Sequence, residues 1–138
     1  SGANLLCTNL TETDLSGATG LITARQFMKD NFNFDKEGYF VYKRIGSSNY
    51  YNPPKYWEIE ERAYLEEVVN RIPSDDCGCG ISFGTLDWCK YHSRKSDLWL
   101  CKIYWEDLPD VVVPYNTDGQ ARCGRLQLIK KITNDKQE

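Results

Sequence analysis

Asp75-Asp76-Cys77-Gly78-Cys79-Gly80-Ile81-Ser82-Phe83-Gly84-Thr85-Leu86-Asp87-Trp88 is the stretch around which this chain is organised. Two acids lead, and three glycines and two cysteines are set around a short apolar run. Thr85 then reads as the cap of a short helix over Leu86 to His92. Glycines this closely spaced mark backbone that takes positive φ or is approached closely, either by a ligand or by the protein's own sheet. Gly78, Gly80 and Gly84 precede and span a strand instead of following one into a long helix, so they fail the dinucleotide-binding fingerprint. No Gly-x-x-x-x-Gly-Lys phosphate loop is present.

Downstream, Leu98 to Trp105 alternates. Trp99, Cys101, Ile103 and Trp105 are placed on one face and Lys102 on the other, which predicts a strand. Val111-Val112-Val113 predicts a second strand, stopped by Pro114. Asn116-Thr117-Asp118-Gly119 predicts a hairpin-type turn. Gln120 to Ile132 predicts the strand that closes the sheet, with Arg125, Gln127 and Lys130 set against apolar neighbours. Upstream, Tyr39 to Ile45 is β-branched and aromatic and predicts a strand. Gly46 to Pro54 is a turn-rich loop, and Trp57 to Ile59 predicts a short strand. Glu60 to Asn70 favours helix by propensity, while Tyr64 to Val69 could pair in a sheet; it is read as strand over 63–69. Thr23 to Phe32 predicts a helix with Thr23 as its cap and Gln26 at the capping-box position.

With 138 residues the chain forms one domain with a short appendage. A hydrophobic share of 41% and an aromatic share of 13% are those of a folded chain. The formal net charge of -3 gives no electrostatic footprint for nucleic acid, and Lys43-Arg44 and Lys130-Lys131 are too few to make one. No run approaches the roughly 20 apolar residues of a membrane helix, and no signal-peptide pattern opens the sequence. The six cysteines are Cys7, Cys77, Cys79, Cys89, Cys101 and Cys123. They read as reduced thiols of a cytoplasmic protein, since a chain of this size does not depend on bridges.

The first residues repeat with period five: Ala3-Asn4-Leu5, Thr8-Asn9-Leu10 and Thr13-Asp14-Leu15, with Ala18-Thr19 starting a fourth copy that Gly20 breaks. This is neither helix nor strand periodicity. It resembles the pentapeptide-repeat family, and the resemblance implies a right-handed, four-sided β-solenoid with Leu5, Leu10 and Leu15 inside. One coil cannot bury its apolar row alone. Those leucines are therefore expected to rest on the following domain, on a second copy of the chain, or on further coils upstream of Ser1.

Cys79-Gly80-Ile81-Ser82-Phe83-Gly84-Thr85, together with Arg122-Cys123-Gly124-Arg125-Leu126, also resembles an uncharacterised domain that follows pentapeptide repeats in phage, large-virus and bacterial proteins. That domain carries a Cys-x-x-Gly-Ile-His-Phe-like segment and a Lys-Cys-Arg strand. Here Ser82 stands at the histidine position, and the second motif reads Arg122-Cys123. The order Tyr42-Lys43, turn, glycine stretch resembles the split-sheet ADP-ribosyltransferase scaffold, whose catalytic pattern would map to Arg44, Ser82 and a glutamate.

Candidate chemistry is sparse. Cys77, Cys79, Cys89 and His92 could supply four zinc ligands, but their spacing matches no common finger. Cys89 and His92 lie three apart on a helix, yet Cys89 sits mid-helix, away from the terminus that lowers a thiol pKa. Of the paired acids, Glu58 and Glu60 would share a strand face. Lys43, Arg44, Asp76, Cys77, Gly78, Gly80 and Ser82 are the candidate binding residues.

The expected fold is α+β and mostly β. It comprises a pentapeptide coil over 1–21, a capping helix over 22–32, a mixed or antiparallel sheet domain with one or two short helices over 33–133, and a frayed tail over 134–138. The expected function is a non-enzymatic structural or protein-binding module that needs no cofactor. An ADP-ribosyltransferase-like enzyme and a DNA-mimicking inhibitor are the alternatives.

Overall fold

The structure, a computed structural model, describes residues 23–46, 53–74, 79–91 and 96–132. The repeat coil, the tail, and Asp76, Cys77, Gly78 and His92 lie outside the described residues.

Helix α1 (Ala24–Asn31) begins where the cap predicts: the Gln26 N–H donates to Thr23 Oγ1 at 3.1 Å. The Gln26 side chain does not reach back to close a capping box. It donates to Asp30 Oδ2 at 2.8 Å, one turn onward. Phe27 and Met28 are buried, while Arg25, Gln26, Lys29 and Asp30 stay exposed. An Asx turn then carries the chain into the first strand, with the Asp35 side chain accepting from the Glu37 and Gly38 amides.

Strands β1 (Gly38–Ile45), β2 (Tyr64–Glu66), β3 (Ile81–Gly84), β4 (Asp97–Tyr104), β5 (Gln120–Cys123) and β6 (Arg125–Ile132) form one antiparallel sheet in the order β2-β6-β4-β1-β3-β5. Helix α2 (Leu86–Tyr91) follows β3, and its Thr85 cap accepts from the Trp88 amide. A 3-10 helix (Trp105–Asp110) follows β4.

The connectivity forces this sheet to curl. β5 and β6 are joined through Gly124 alone, yet four strand spacings separate them in the sheet. At about 4.8 Å per spacing a flat sheet would place them roughly 19 Å apart. Two residues of extended chain reach about 7 Å. The concave face collects Tyr39, Val41 and Ile45 of β1, Leu65 of β2, Ile81 and Phe83 of β3, and Trp99, Cys101 and Ile103 of β4. Ala121, Cys123, Leu126 and Leu128 complete it, all in one buried cluster. Phe27, Met28 and Phe32 join that cluster, with the Phe32 and Phe83 rings 5.9 Å apart. The helix thus spends its apolar face on the sheet's own core.

Several expectations require correction. Gln120 to Ile132 is not one strand: Gly124 divides it, and its halves sit in distant parts of the sheet order. Within β6 the register slips, so that Leu100 faces Lys130 while Cys101 faces Leu128. Ile129 is the extra residue of this bulge, which explains why polar positions change phase between Gln127 and Lys130. Val111 to Val113 contributes a single bridge, Val112 to Arg122, because Pro114 and the turn beyond it allow no longer ladder. Trp57 to Ile59 forms no strand, although Trp57 is buried in the core. Trp105 does not share the inner face of β4. It opens the 3-10 helix, 40% exposed, and its indole N–H bonds to the Lys36 carbonyl. The 63–69 strand shortens to β2.

Candidate functional site

Among the described residues, two regions of the sheet stand out for main-chain groups that no neighbouring strand pairs. They receive opposite treatment.

The first is the seam between β1 and β3. Tyr42 and Gly84 are the one paired position between these strands. Beyond it the strands diverge, and Lys43 fills the opening. Its Nζ donates to the Ser82 carbonyl at 2.8 Å, lies 3.4 Å from Ser82 Oγ, and sits 5.6 Å above the Trp57 ring. Lys43 is 3% exposed. Alternation along β1 puts its Cβ on the concave side with Val41 and Ile45, so burial follows from its position in the strand. Desolvation pushes the ammonium below its ordinary pKa; the neighbouring Cys101, Cys123 and Cys89 sulfurs oppose this, and none of the described carboxylates does. The same burial pushes the Cys89 thiol up to about 11, the Cys123 thiol up to about 12, and the Cys101 thiol upward as well. These are unreactive thiols packed as small apolar groups. The Trp57 and Trp99 indole N–H groups are also buried, with no acceptor among the described residues.

The other described candidates, Arg44 and Gly80, are engaged by the protein's own backbone, as is Arg122 of the Arg-Cys motif. Arg44 projects from the opposite face of β1. Its Nε donates to the Cys89 carbonyl at 2.9 Å and its Nη1 to the Ser96 carbonyl at 2.6 Å, tying down the carboxyl end of α2. Arg122, 3% exposed, donates through Nε to the Asn70 carbonyl and through Nη2 to the Ile72 carbonyl, each at 2.7 Å. Gly80 has φ +133, and a Cβ there would meet Val69 Cγ2 at 2.9 Å. What approaches this glycine is the 69–70 segment, whose Asn70 amide donates to the Cys79 carbonyl at 2.8 Å. Of the four zinc candidates, Cys79 is exposed and Cys89 is buried on α2. Among the described residues no group of three or more metal-ligating side chains converges.

The second region is the outer edge of β2. Leu128 N–H donates to the Ala63 carbonyl at 2.8 Å and Glu67 N–H to the Gly124 carbonyl at 2.9 Å. These bonds fix the antiparallel alternation, in which Leu65 exchanges bonds with Leu126. The N–H and C=O of Tyr64 and Glu66 therefore point away from β6, and among the described residues nothing bonds to them. Two grooves flank this edge and meet at Tyr56. One, of about 330 Å³, runs along Glu58, Glu60, Glu61 and Tyr64; the other, of about 640 Å³, runs along Glu67, Val68, Arg71 and Asp110. Tyr56 donates its hydroxyl to Glu67, and Arg71 pairs with Asp110. Arg125 lies 4.1 Å from the Tyr64 ring and bridges Glu66 at 3.1 Å, Asp107 at 3.2 Å and Glu106 at 3.3 Å. Burial raises the Asp107 carboxyl, against the pull of Arg125.

Sequence reasoning singled out Lys43 and Ser82, which the structure joins, and Gly80, which serves its own chain. It missed the β2 edge. The available signal was the density of acids from Glu58 to Glu67, five glutamates in ten residues.

Compared with protein-family models, curated proteins and solved structures, the chain matches none of them.

Proposed function

We propose that this domain is a non-enzymatic protein-binding module that closes one end of a pentapeptide-repeat coil formed by residues 1–21. The observation that carries the binding role is a contrast within one sheet. The cationic side chains Lys43, Arg44 and Arg122 are spent on the protein's own carbonyls, whereas the outward Tyr64 and Glu66 main-chain groups find no partner among the described residues. A nucleotide site needs cations free to meet phosphate. The closing role is supported by the repeat register, and α1 links the repeat in sequence to the sheet core, in which its Phe27 and Met28 are buried.

Thermal denaturation with NAD and ADP-ribose tests the binding reading against the ADP-ribosyltransferase alternative. A nucleotide present at 100 times its Kd would stabilise the fold by about 2.7 kcal/mol. No shift is expected, and a saturating shift would replace the module with the enzyme. The coil is tested by Leu10→Asp. A lowered melting temperature is expected if Leu10 is packed, and an unchanged one removes the coil from the proposal.

A further inference from the structure

The β2 edge carries a more specific statement, which rests on the protein-binding reading. We infer that β2 accepts an extended, lysine- or arginine-rich segment of a partner protein as a seventh strand, laid along the two grooves that meet at Tyr56.

Three observations lead there. First, the edge is chemically incomplete: the outward N–H and C=O of Tyr64 and Glu66 form two rungs of a ladder that no strand faces among the described residues. A strand added there takes up main-chain bonds and sets alternate side chains to either side. Second, the edge lies in a trough. The grooves are lined by residues before and after β2, Glu58 to Tyr64 and Glu66 to Arg71, and share Tyr56, so a segment longer than β2 has surface to meet beyond its three residues. Exposed Tyr56, Tyr64 and Val68 offer apolar contact along that path. Third, seven carboxylates and three guanidinium groups line the two grooves. Arg71 and Arg125 are already paired, with Asp110 and with the Glu66, Glu106 and Asp107 cluster respectively. The surplus is negative and is densest at Glu58, Glu60 and Glu61. A short, acidic edge repels a second copy of itself, which is how edge strands avoid self-pairing. The same charges draw in an extended chain of opposite sign.

The test uses the full chain with a ten-residue peptide of alternating Lys and Thr, and a Glu–Thr peptide of the same length as control. Backbone amide exchange is followed by NMR. The Lys–Thr peptide should slow exchange at the Tyr64 and Glu66 amides at least tenfold, and the Glu–Thr peptide should leave them unchanged. Raising salt from 50 to 500 mM should weaken the Lys–Thr complex at least fivefold. Glu66→Pro removes an outward N–H without touching the β6 ladder; it should keep the thermal transition and lose the protection. Glu60→Lys with Glu61→Lys provides a second variant, expected to weaken binding with the ladder groups intact. Protection that appears with protein concentration and no peptide would mean that a second copy fills the edge, and would overturn the inference. So would Lys–Thr binding that leaves both amides unprotected, although the general protein-binding reading would survive it. A nucleotide-induced stabilisation, by contrast, sinks that broader reading and the inference with it.

Discussion

Lys43→Met is the substitution that examines the seam most directly. At neutral pH three effects compete. Losing the ammonium leaves the Ser82 carbonyl without its donor, a cost of about 1–3 kcal/mol for a buried acceptor. Losing the cation above Trp57 costs about 0.5–2 kcal/mol. Against these, an apolar side chain of similar length no longer has to be stripped of its charge in the core, and replacements of buried ionic groups of this kind commonly return about 1–4 kcal/mol. The opposing effects are of similar size, so the offset at pH 7 decides little.

The pH dependence decides more. Desolvation holds the native Lys43 below the roughly 10.4 of an unfolded lysine. Between the native and unfolded pKa values the unfolded chain binds the extra proton, so this group makes stability rise with pH. Wild type should therefore gain on Lys43→Met by up to about 1.4 kcal/mol per pH unit across that window, and the difference should level off above about pH 10.4. The raised thiols of Cys89, Cys101 and Cys123 titrate in the same region with the opposite sign; the Lys43 ammonium lowers all three, so its loss raises them further and widens the difference in the same direction. Urea unfolding at pH 7, 8, 9 and 10 under reducing conditions, with equal m-values as the check on two-state behaviour, provides the measurement. A difference that stays flat from pH 7 to 10.4 would refute the claim that this amine is desolvated without a counter-ion. A difference that falls with pH would mean that a carboxylate faces it.

Three further outcomes follow from the core and the sheet. A Cβ at Gly38 would lie 2.1 Å from the Ile103 carbonyl oxygen and 2.8 Å from the Ile103 carbonyl carbon, atoms of the paired strand's own backbone. Gly38→Ala should therefore cost about 3 kcal/mol in urea unfolding, at the upper end for overpacking, since neither strand can yield without breaking the ladder. Leu65 is fully buried from a three-residue edge strand. Leu65→Ala should cost about 2–5 kcal/mol by thermal or urea unfolding and should speed exchange of the Leu126 amide, its partner across β6. Alkylation at pH 8 with peptide mapping should modify exposed Cys79 quickly and leave Cys89, Cys101 and Cys123 unmodified until the chain unfolds; rapid native labelling of any of the three would contradict their burial.

What could be read in advance was local. The Thr23 and Thr85 caps, the β1 alternation and the run from Leu98 into Tyr104 each declare themselves within a few residues, because cap chemistry and side-chain period are short-range signals. What failed was long-range. Nothing in Arg122-Cys123-Gly124-Arg125 announces that the two sides of Gly124 belong to distant parts of a sheet, since both halves carry the same alternation. The bulge at Ile129 is equally silent, visible afterwards only as a phase change in polar residues. Val111 to Val113 has strong strand propensity but lacks a neighbour to pair with beyond Arg122, so tertiary context overrode it. Lys43 and Ser82 were both suspected, but their contact spans 39 positions and is set by strand order, which periodicity does not encode.

Curl links the two regions of unpaired backbone. Joining β5 to β6 through one residue rolls the sheet, and rolling turns the Tyr39, Val41, Lys43, Ile45 face of β1 inward. A lysine at the third of those positions then has no route to solvent along its own face. The diverging β1–β3 seam offers it a carbonyl, and the lysine supplies the donor that a strand amide would otherwise give. That seam is closed from within, by a buried ammonium that donates to the Ser82 carbonyl and sits above the Trp57 ring. At β2 no described side chain performs this service: Tyr64 and Glu66 flank a leucine committed to the core, and their own side chains meet Arg125. A buried opening must be satisfied for the protein to fold, whereas an exposed one can wait on water. The proposed binding therefore belongs at the β2 edge, whose Tyr64 and Glu66 main-chain groups find no partner among the described residues, and not at Ser82 and Gly80, which Lys43 and the 69–70 segment already meet.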